Sequence, residues 1–264
     1  MLIRHLLSLA LVLVAAATFA QVLKKEEVDQ LKFRHIGPVG NRVTCAAAIP
    51  GNHLLYLAGA ASGGIWKTSD GGLSWRPVLD DKNVHSIGAL AISVADPQVA
   101  FAGTGESSIR SNISIGNGVY KSTDGGETWQ LVGLENAGRV SRIIIHPTNP
   151  DVVWVGALGH AYAPQKERGL YKTVDGGKTW KQVLYVDDNT GVSDIVVDPT
   201  NPRILFAGMW QLSLKPWNRT SGGPGSGLYM SKDGGDTWTK LKGNGLPEGV
   251  VGKIALSMTA ADPN

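Results

Sequence analysis

The sequence predicts an all-β fold, a β-propeller built from four-stranded antiparallel blades, and three observations predict it. The pattern Ser/Thr-x-Asp-x-Gly-x-Ser/Thr-Trp returns four times among the 264 residues, at Thr68–Trp75, Ser122–Trp129, Thr173–Trp180 and Ser231–Trp238. Its aspartates, Asp70, Asp124, Asp175 and Asp233, stand 54, 51 and 58 residues apart, a period that marks an array of one supersecondary unit. Each copy also follows a short apolar run opened by glycine: Gly64-Ile65-Trp66, Gly118-Val119-Tyr120, Gly169-Leu170-Tyr171 and Gly227-Leu228-Tyr229. Upstream of each third-strand run lie two more strand signals, separated in most units by an Asp/Asn-Pro turn.

Taken in order, the first strand of each unit is an apolar run at Val43–Ile49, Ile87–Val94, Val140–Ile145, Val192–Val197 and Ile254–Leu256. Turns follow at Asp96-Pro97, Asn149-Pro150, Asn201-Pro202 and Asp262-Pro263. Proline presets φ there, and the Asn or Asp side chain can bond its own backbone, which suits a tight reversal. Second strands are read at Leu54–Ala58, Val99–Ala102, Val152–Val155 and Ile204–Ala207, each closing on a glycine. The last strand begins near the motif tryptophan: Arg76–Leu79, Gln130–Val132, Lys181–Tyr185 and Thr239–Leu241. Four antiparallel strands in roughly 50 residues make a propeller blade. The expected blades are 37–80, 81–133, 134–186 and 187–242, with a partial blade at 243–264, so that a piece of a larger propeller is expected.

Residues 1–20 read differently. Arg4 precedes the apolar stretch Leu6–Ala17, and small residues end it at Ala20, the pattern of a signal peptide. Export to the periplasm or the medium is expected, with no membrane span once residues 1–20 are removed. Lys24–Phe33 is charged and fits either a short helix or a lead-in strand. The whole chain has 25 basic and 22 acidic residues. So even a balance gives no electrostatic case for nucleic acid. Cys45, the single cysteine, excludes an internal disulfide and a cysteine metal site. No cofactor or metal is expected.

The repeated box is the Asp-box (BNR) motif. With the phrases Gly103-Thr104-Gly105-Glu106, Gly118–Gly126 and Gly156-Ala157-Leu158-Gly159-His160, the chain resembles the sortilin-like (Vps-ten-domain) propeller proteins, often labelled glycosyl hydrolases. That resemblance implies three kinds of activity: a binding scaffold for a peptide, protein or carbohydrate, a glycoside hydrolase, or an assembly factor that docks proteins through arginines. Xyloglucan-cleaving propellers carry an aspartate two residues before the Gly-Gly that precedes the first blade's third strand; this chain has Ala61 there.

The boxes themselves read as structural. Asp70, Asp124, Asp175 and Asp233 would accept bonds from turn N–H groups. Trp75, Trp129, Trp180 and Trp238 would pack across the blade, each with its N–H near a partner. An active site needs different residues from different blades, whereas a fold needs one turn repeated. Strand order puts the boxes on one face of the disc and the second-to-third-strand loops on the other. Those loops span 5, 15, 13 and 19 residues between their bounding glycines, and long loops on a rigid scaffold are where recognition concentrates. They offer Arg110, His160, Tyr162, Trp210 and Trp217 as ligand-binding candidates. The two tryptophans fit a sugar or peptide contact, or packing onto the neighbouring blade. Starts of the inner strands add Arg42, Arg139 and Arg142, which suit an anion or, equally, ion pairs between blades. Glu106 and Asp194 are the weak catalytic candidates, because glycoside hydrolysis needs two facing carboxylates.

Overall fold

The computed structural model describes residues 42–110 and 112–259. Residues 1–20, read as a signal peptide, Lys24–Phe33 and the expected turn at Asp262-Pro263 lie outside them. Four antiparallel sheets follow one another along the chain, each meandering outward in sequence order. The first holds β1 (Val43–Ala48), β2 (Tyr56–Ala60), β3 (Ile65–Thr68) and β4 (Arg76–Pro77). The second holds β5 (Ile87–Ile92), β6 (Ala100–Thr104), β7 (Val119–Ser122) and β8 (Gln130–Leu131). The third holds β9 (Val140–His146), β10 (Asn149–Ala157), β11 (Gly169–Thr173) and β12 (Lys181–Leu184). The fourth holds β13 (Thr190–Val197), β14 (Leu205–Lys215), β16 (Gly227–Ser231) and β17 (Thr239–Lys240), with β15 (Asn218–Ser221) paired to the far end of β14. These are blades of a β-propeller.

The innermost strands β1, β5, β9 and β13 pack side by side. Beyond them, residues 253–256 run along β13: the Ser193 hydroxyl donates to Ile254 O (2.8 Å), and Leu256 N donates to Asp194 Oδ2 (2.9 Å). Hydrophobic cores form between blades. Leu57, Ile65 and Leu79 of the first blade meet Ile87, Ala102 and Trp129 of the second. Phe101 and Val119 meet Val140, Val153 and Val155. Trp154, Leu170 and Leu184 meet Val192, Ile195 and Leu205. Trp129, Trp180 and Trp238 therefore pack towards the preceding blade, rather than across their own.

Three elements depart from expectation: no strand forms at Ile254–Leu256, Asn149-Pro150 opens β10 after a turn at Pro147-Thr148, and the fourth blade's second strand is longer than read. The fourth blade's second strand does not close at Gly208. It runs on to Lys215, turns at Pro216-Trp217 and returns as β15, with Lys215 opposite Asn218. The alternation Leu212, Leu214 inward and Ser213, Lys215 outward sustains that extension.

Candidate functional site

The box face is built of four nearly identical turns. In the first, the Thr68 hydroxyl donates to Asp70 Oδ1 (2.7 Å) and accepts from Gly72 N (2.9 Å); the Ser74 N–H and hydroxyl both donate to Asp70. Asp124, Asp175 and Asp233 make the same bonds to Thr128, Thr179 and Thr237. Gly71 and Gly72 sit at φ 72° and 88°, where a side chain would be strained. The Gly71 N–H reaches back to Leu54 O in the first-to-second-strand turn, as Gly125, Gly176 and Gly234 reach Gln98, Asp151 and Arg203. The hydroxyl and N–H of Ser74, then Thr68, hold the Asp70 carboxyl down at about 2.

The tryptophan N–H groups are less uniform than expected. Trp180 donates to Val132 O of the preceding blade (2.7 Å), and Trp238 donates to Gly235 O of its own turn (3.1 Å). Those of Trp75 and Trp129 are buried without a protein acceptor. A lysine link joins successive blades instead. Lys67, Lys121 and Lys172 lie one residue before the box Ser or Thr, on the third strand. Lys67 donates to Gly125 O (2.8 Å) and Glu127 (2.7 Å), Lys121 to Gly176 O (3.0 Å), and Lys172 to Asp236 (2.8 Å). Each reaches the box of the next blade. Sequence reasoning missed this link, although the period displays it in three of four copies; Met230 occupies the fourth.

Around the centre, every inner strand carries a one-residue bulge, at Thr44, Gly88, Ser141 and Ser193. The hydroxyls bridge blades: Thr44 to Gly59 O and Ile87 O, Ser141 to Gly156 O and Val192 O, Ser193 to Gly208 O and Ile254 O. Gly88 is the exception, since a Cβ there would lie 2.1 Å from Val140 O. These strands line a central cavity of about 290 Å³, together with Arg142, Asp194 and Lys253.

The opposite face is not a fringe of independent loops. Leu158 and Ala161 of the third blade, and Trp210, Leu212 and Leu214 of the fourth, form a small core joined by Ile109 and Ile113 of the second. Trp210 is buried in β14, and its N–H meets Ser221 Oγ (3.1 Å). Of the two alternatives for this side chain, the geometry has the packing one. Trp217, on the hairpin tip, is 80% exposed, and Tyr162 is 53% exposed.

Arg168 lies under this core. Its guanidinium donates to Asn189 O (2.6 Å), Leu212 O (3.0 Å), Ala163 O (3.2 Å) and His160 O. Burial draws its pKa down to about 10, which leaves it charged at neutral pH. Arg139 is buried too and donates to Gly159 O and Ile113 O (3.3 Å each). Burial, then Arg139 and Arg168, push the His160 imidazole below its ordinary range.

The three inner arginines do not converge. Arg42 and Arg110 both grip Glu106, at 2.9 Å to Oε1 in each case, and the Glu106 side chain is 0% exposed. Arg142 pairs with Asp194 at 3.4 Å. Both pairings that join blades, Arg42–Glu106 and Arg142–Asp194, realise the ion-pair alternative. Glu106 and Asp194 are thus each held by a cation. None of the clefts described for the chain is lined by two carboxylates. Ala61, where xyloglucan-cleaving propellers carry an aspartate, is buried and donates its N–H to Arg42 O (2.9 Å). Among the described residues, no three His, Cys, Asp or Glu side chains group as metal ligands do.

The profile of the family described as "Sortilin, neurotensin receptor 3" matches residues 117–245. A protein of Neosartorya fischeri named "Probable oligoxyloglucan-reducing end-specific xyloglucanase" is 34% identical over 221 residues, covering 77% of this chain and 24% of that protein. An "Oligoxyloglucan-reducing end-specific xyloglucanase" of Emericella nidulans is 23% identical over the same shares. The chain spans about a quarter of the length of these relatives. Among solved structures, the GH74 enzyme of Niastella koreensis aligns with a TM-score of 0.57 at 21% identity, over 77% of this chain and 30% of that one. The structural likeness carries the fold, and the sequence matches carry the labels. This chain is a β-propeller that is similar to the sortilin family over residues 117–245 and to proteins named as xyloglucanases.

Proposed function

We propose that this chain is the ligand-binding part of an exported propeller and that it takes a carbohydrate on the long-loop face. One observation carries the reading. Trp217 stands 80% exposed on the tip of a hairpin whose base, through Trp210, Leu212 and Leu214, is locked into the loop core. A large apolar ring held out on a rigid support is a contact waiting for a flat apolar partner, and a pyranose ring presents one. The names of the relatives, which specify xyloglucan, agree with a glycan rather than a peptide. Tyr162, Arg110 and Arg142 stand as the polar contributors, whereas Arg139, His160 and Trp210 hold the loops in place.

A glycoside hydrolase is the second reading, and the same names favour it. That chemistry needs carboxyl groups about 5–9.5 Å apart across the scissile bond, whereas Glu106 and Asp194 are each engaged by arginine. One experiment separates the readings. The chain is titrated with xyloglucan oligosaccharides by calorimetry and screened for released reducing ends. We expect binding without turnover, weakened at least tenfold by Trp217→Ala with the melting temperature unchanged. Binding to a peptide array in place of glycans, or affinity indifferent to Trp217→Ala, would defeat the carbohydrate reading; turnover lost in Glu106→Gln would establish the second.

A further inference from the structure

In the second blade, between the segment that leads into its inner strand and its long loop, lies a cleft of about 240 Å³, lined by Asn83, His85, Ser86, Ser114, Ile115 and Asn117. The origin of the cleft is visible in the repeat. Arg42, Ser86 and Arg139 are equivalent positions, each two residues before an inner-strand bulge. Their carbonyls accept equivalent N–H groups, those of Ala61, Gly105 and Leu158. In the first and third blades the long guanidinium side chain runs into the loops and finds Glu106, or Gly159 O and Ile113 O. In the second blade a serine stands there, and the space an arginine would fill is open.

The Ser86 hydroxyl is buried and has no hydrogen-bond partner among the described residues. Such a group costs about 1–3 kcal/mol unless something meets it. The other polar groups at the cleft are neutral amides, a hydroxyl and an imidazole. Asn117 spends its Oδ1 on the Tyr120 hydroxyl (3.2 Å), which leaves its NH₂ as donor. Ile115, half exposed, supplies an apolar wall. Among the described residues, no Asp, Glu, Lys or Arg side chain lines the cleft. Its volume falls below the roughly 300–1,000 Å³ of drug-sized sites and matches one ring.

We propose that this cleft is a subsite for a single neutral sugar ring, with Ser86 meeting a ring hydroxyl, Asn83, His85 and Asn117 completing the hydrogen bonds, and Ile115 against the ring face. The proposal rests on the carbohydrate reading above and adds a place and a chemistry to it. A neutral donor–acceptor set selects uncharged hydroxyls, and the absence of a cation disfavours a uronic acid.

The test uses the full chain, with xylose, glucose and a xyloglucan heptasaccharide as probes and glucuronate as the anionic control. Binding is read by saturation-transfer NMR and calorimetry. Ser86→Ala and Asn83→Ala should each weaken heptasaccharide binding at least fivefold, and glucuronate should bind more weakly than glucose. Ser86→Ala should also leave the melting temperature unchanged or raised, because it removes an unmet buried hydroxyl; a purely structural serine would lower it. Heptasaccharide binding that survives both substitutions but fails in Trp217→Ala overturns the subsite and spares the carbohydrate reading. No sugar binding by the parent chain overturns both.

Discussion

Replacing Arg168 by methionine tests whether the long-loop face is a second core organised around a buried cation. Methionine keeps most of the apolar stem and deletes the guanidinium. Four carbonyls lose a donor: Asn189, Leu212, His160 and Ala163. The Leu212 carbonyl is fully enclosed, and an acceptor left unmet there costs about 1–3 kcal/mol. The other three lie at the partly exposed edge and can recruit water, so each loses about 0.5–1.5 kcal/mol. Relief of the cost of burying a charge offsets part of that total. The net expectation is a loss of about 3–4 kcal/mol, set against the 5–15 kcal/mol typical of a folded domain. Urea unfolding gives the total, and amide hydrogen exchange gives its location. Protection should fall in 157–168 and 205–221 before it falls in the box turns. Arg168→Lys should lose nearly as much, since an ammonium cannot span four acceptors in a plane. A loss under about 1 kcal/mol, or exchange that rises evenly across all blades, would refute the assignment of Arg168 as the hub of these loops.

Two further outcomes follow from the repeats. The box carboxyls are depressed in the folded state by their hydroxyl and N–H donors, Asp70 to about 2 from 3.8. Folding therefore gains from them fully above the unfolded value, and the gain is lost as pH falls from about 4 through 2; circular dichroism during acid titration should show one cooperative loss in that window, shifted upward in Ser74→Ala. Restoring the repeat pattern at the second inner-strand bulge, by Gly88→Ser, should destabilise by about 1–3 kcal/mol as overpacking does, because the new Cβ would lie 2.1 Å from Val140 O and 2.3 Å from Gly105 O; a stabilised variant in chemical denaturation would show that the second and third blades can part at little cost.

What was legible in the sequence is what is local and repeated. The box turn is specified within eight residues, and its Asp, Gly and Thr act on one another, so the bonds of Asp124 to Ser122 and Thr128 could be foreseen. The strands were legible for the same reason. Contacts between blades were not. The loop core joins Ile109, Leu158 and Trp210, residues some 50 apart with no shared pattern. Arg139 reads the same as Arg142 in the sequence, yet one is buried on carbonyls and the other half exposed beside Asp194. Two signals were present but unread. Residues 210–215 alternate with a period of two, which marks the extended strand despite the Gly/Ser/Pro-rich stretch after it. The lysine before three of the four boxes recurs with the box and reports an inter-blade bond.

In a repeat fold the comparison that separates scaffold from site is between blades of the same chain. Equivalent positions face equivalent neighbours, so whatever every blade keeps answers a demand that every blade makes. The bulge hydroxyls, the lysine link and the box are kept almost throughout. Thr44, Ser141 and Ser193 all close the same gap between inner strands, and Gly88 departs because the Val140 backbone has moved into the space. That departure is compensated by close packing. At the position two residues earlier the series is Arg42, Ser86, Arg139 and Gly191. The glycine is compensated as well, since the Leu158 backbone would lie 2.5 Å from a Cβ there. Both arginines have acceptors. Among the described residues, Ser86 alone of the four has neither a neighbour in the vacated space nor a partner for its hydroxyl. A deviation that the surrounding structure has not closed over costs stability, and it persists in a native fold where something outside the chain completes it.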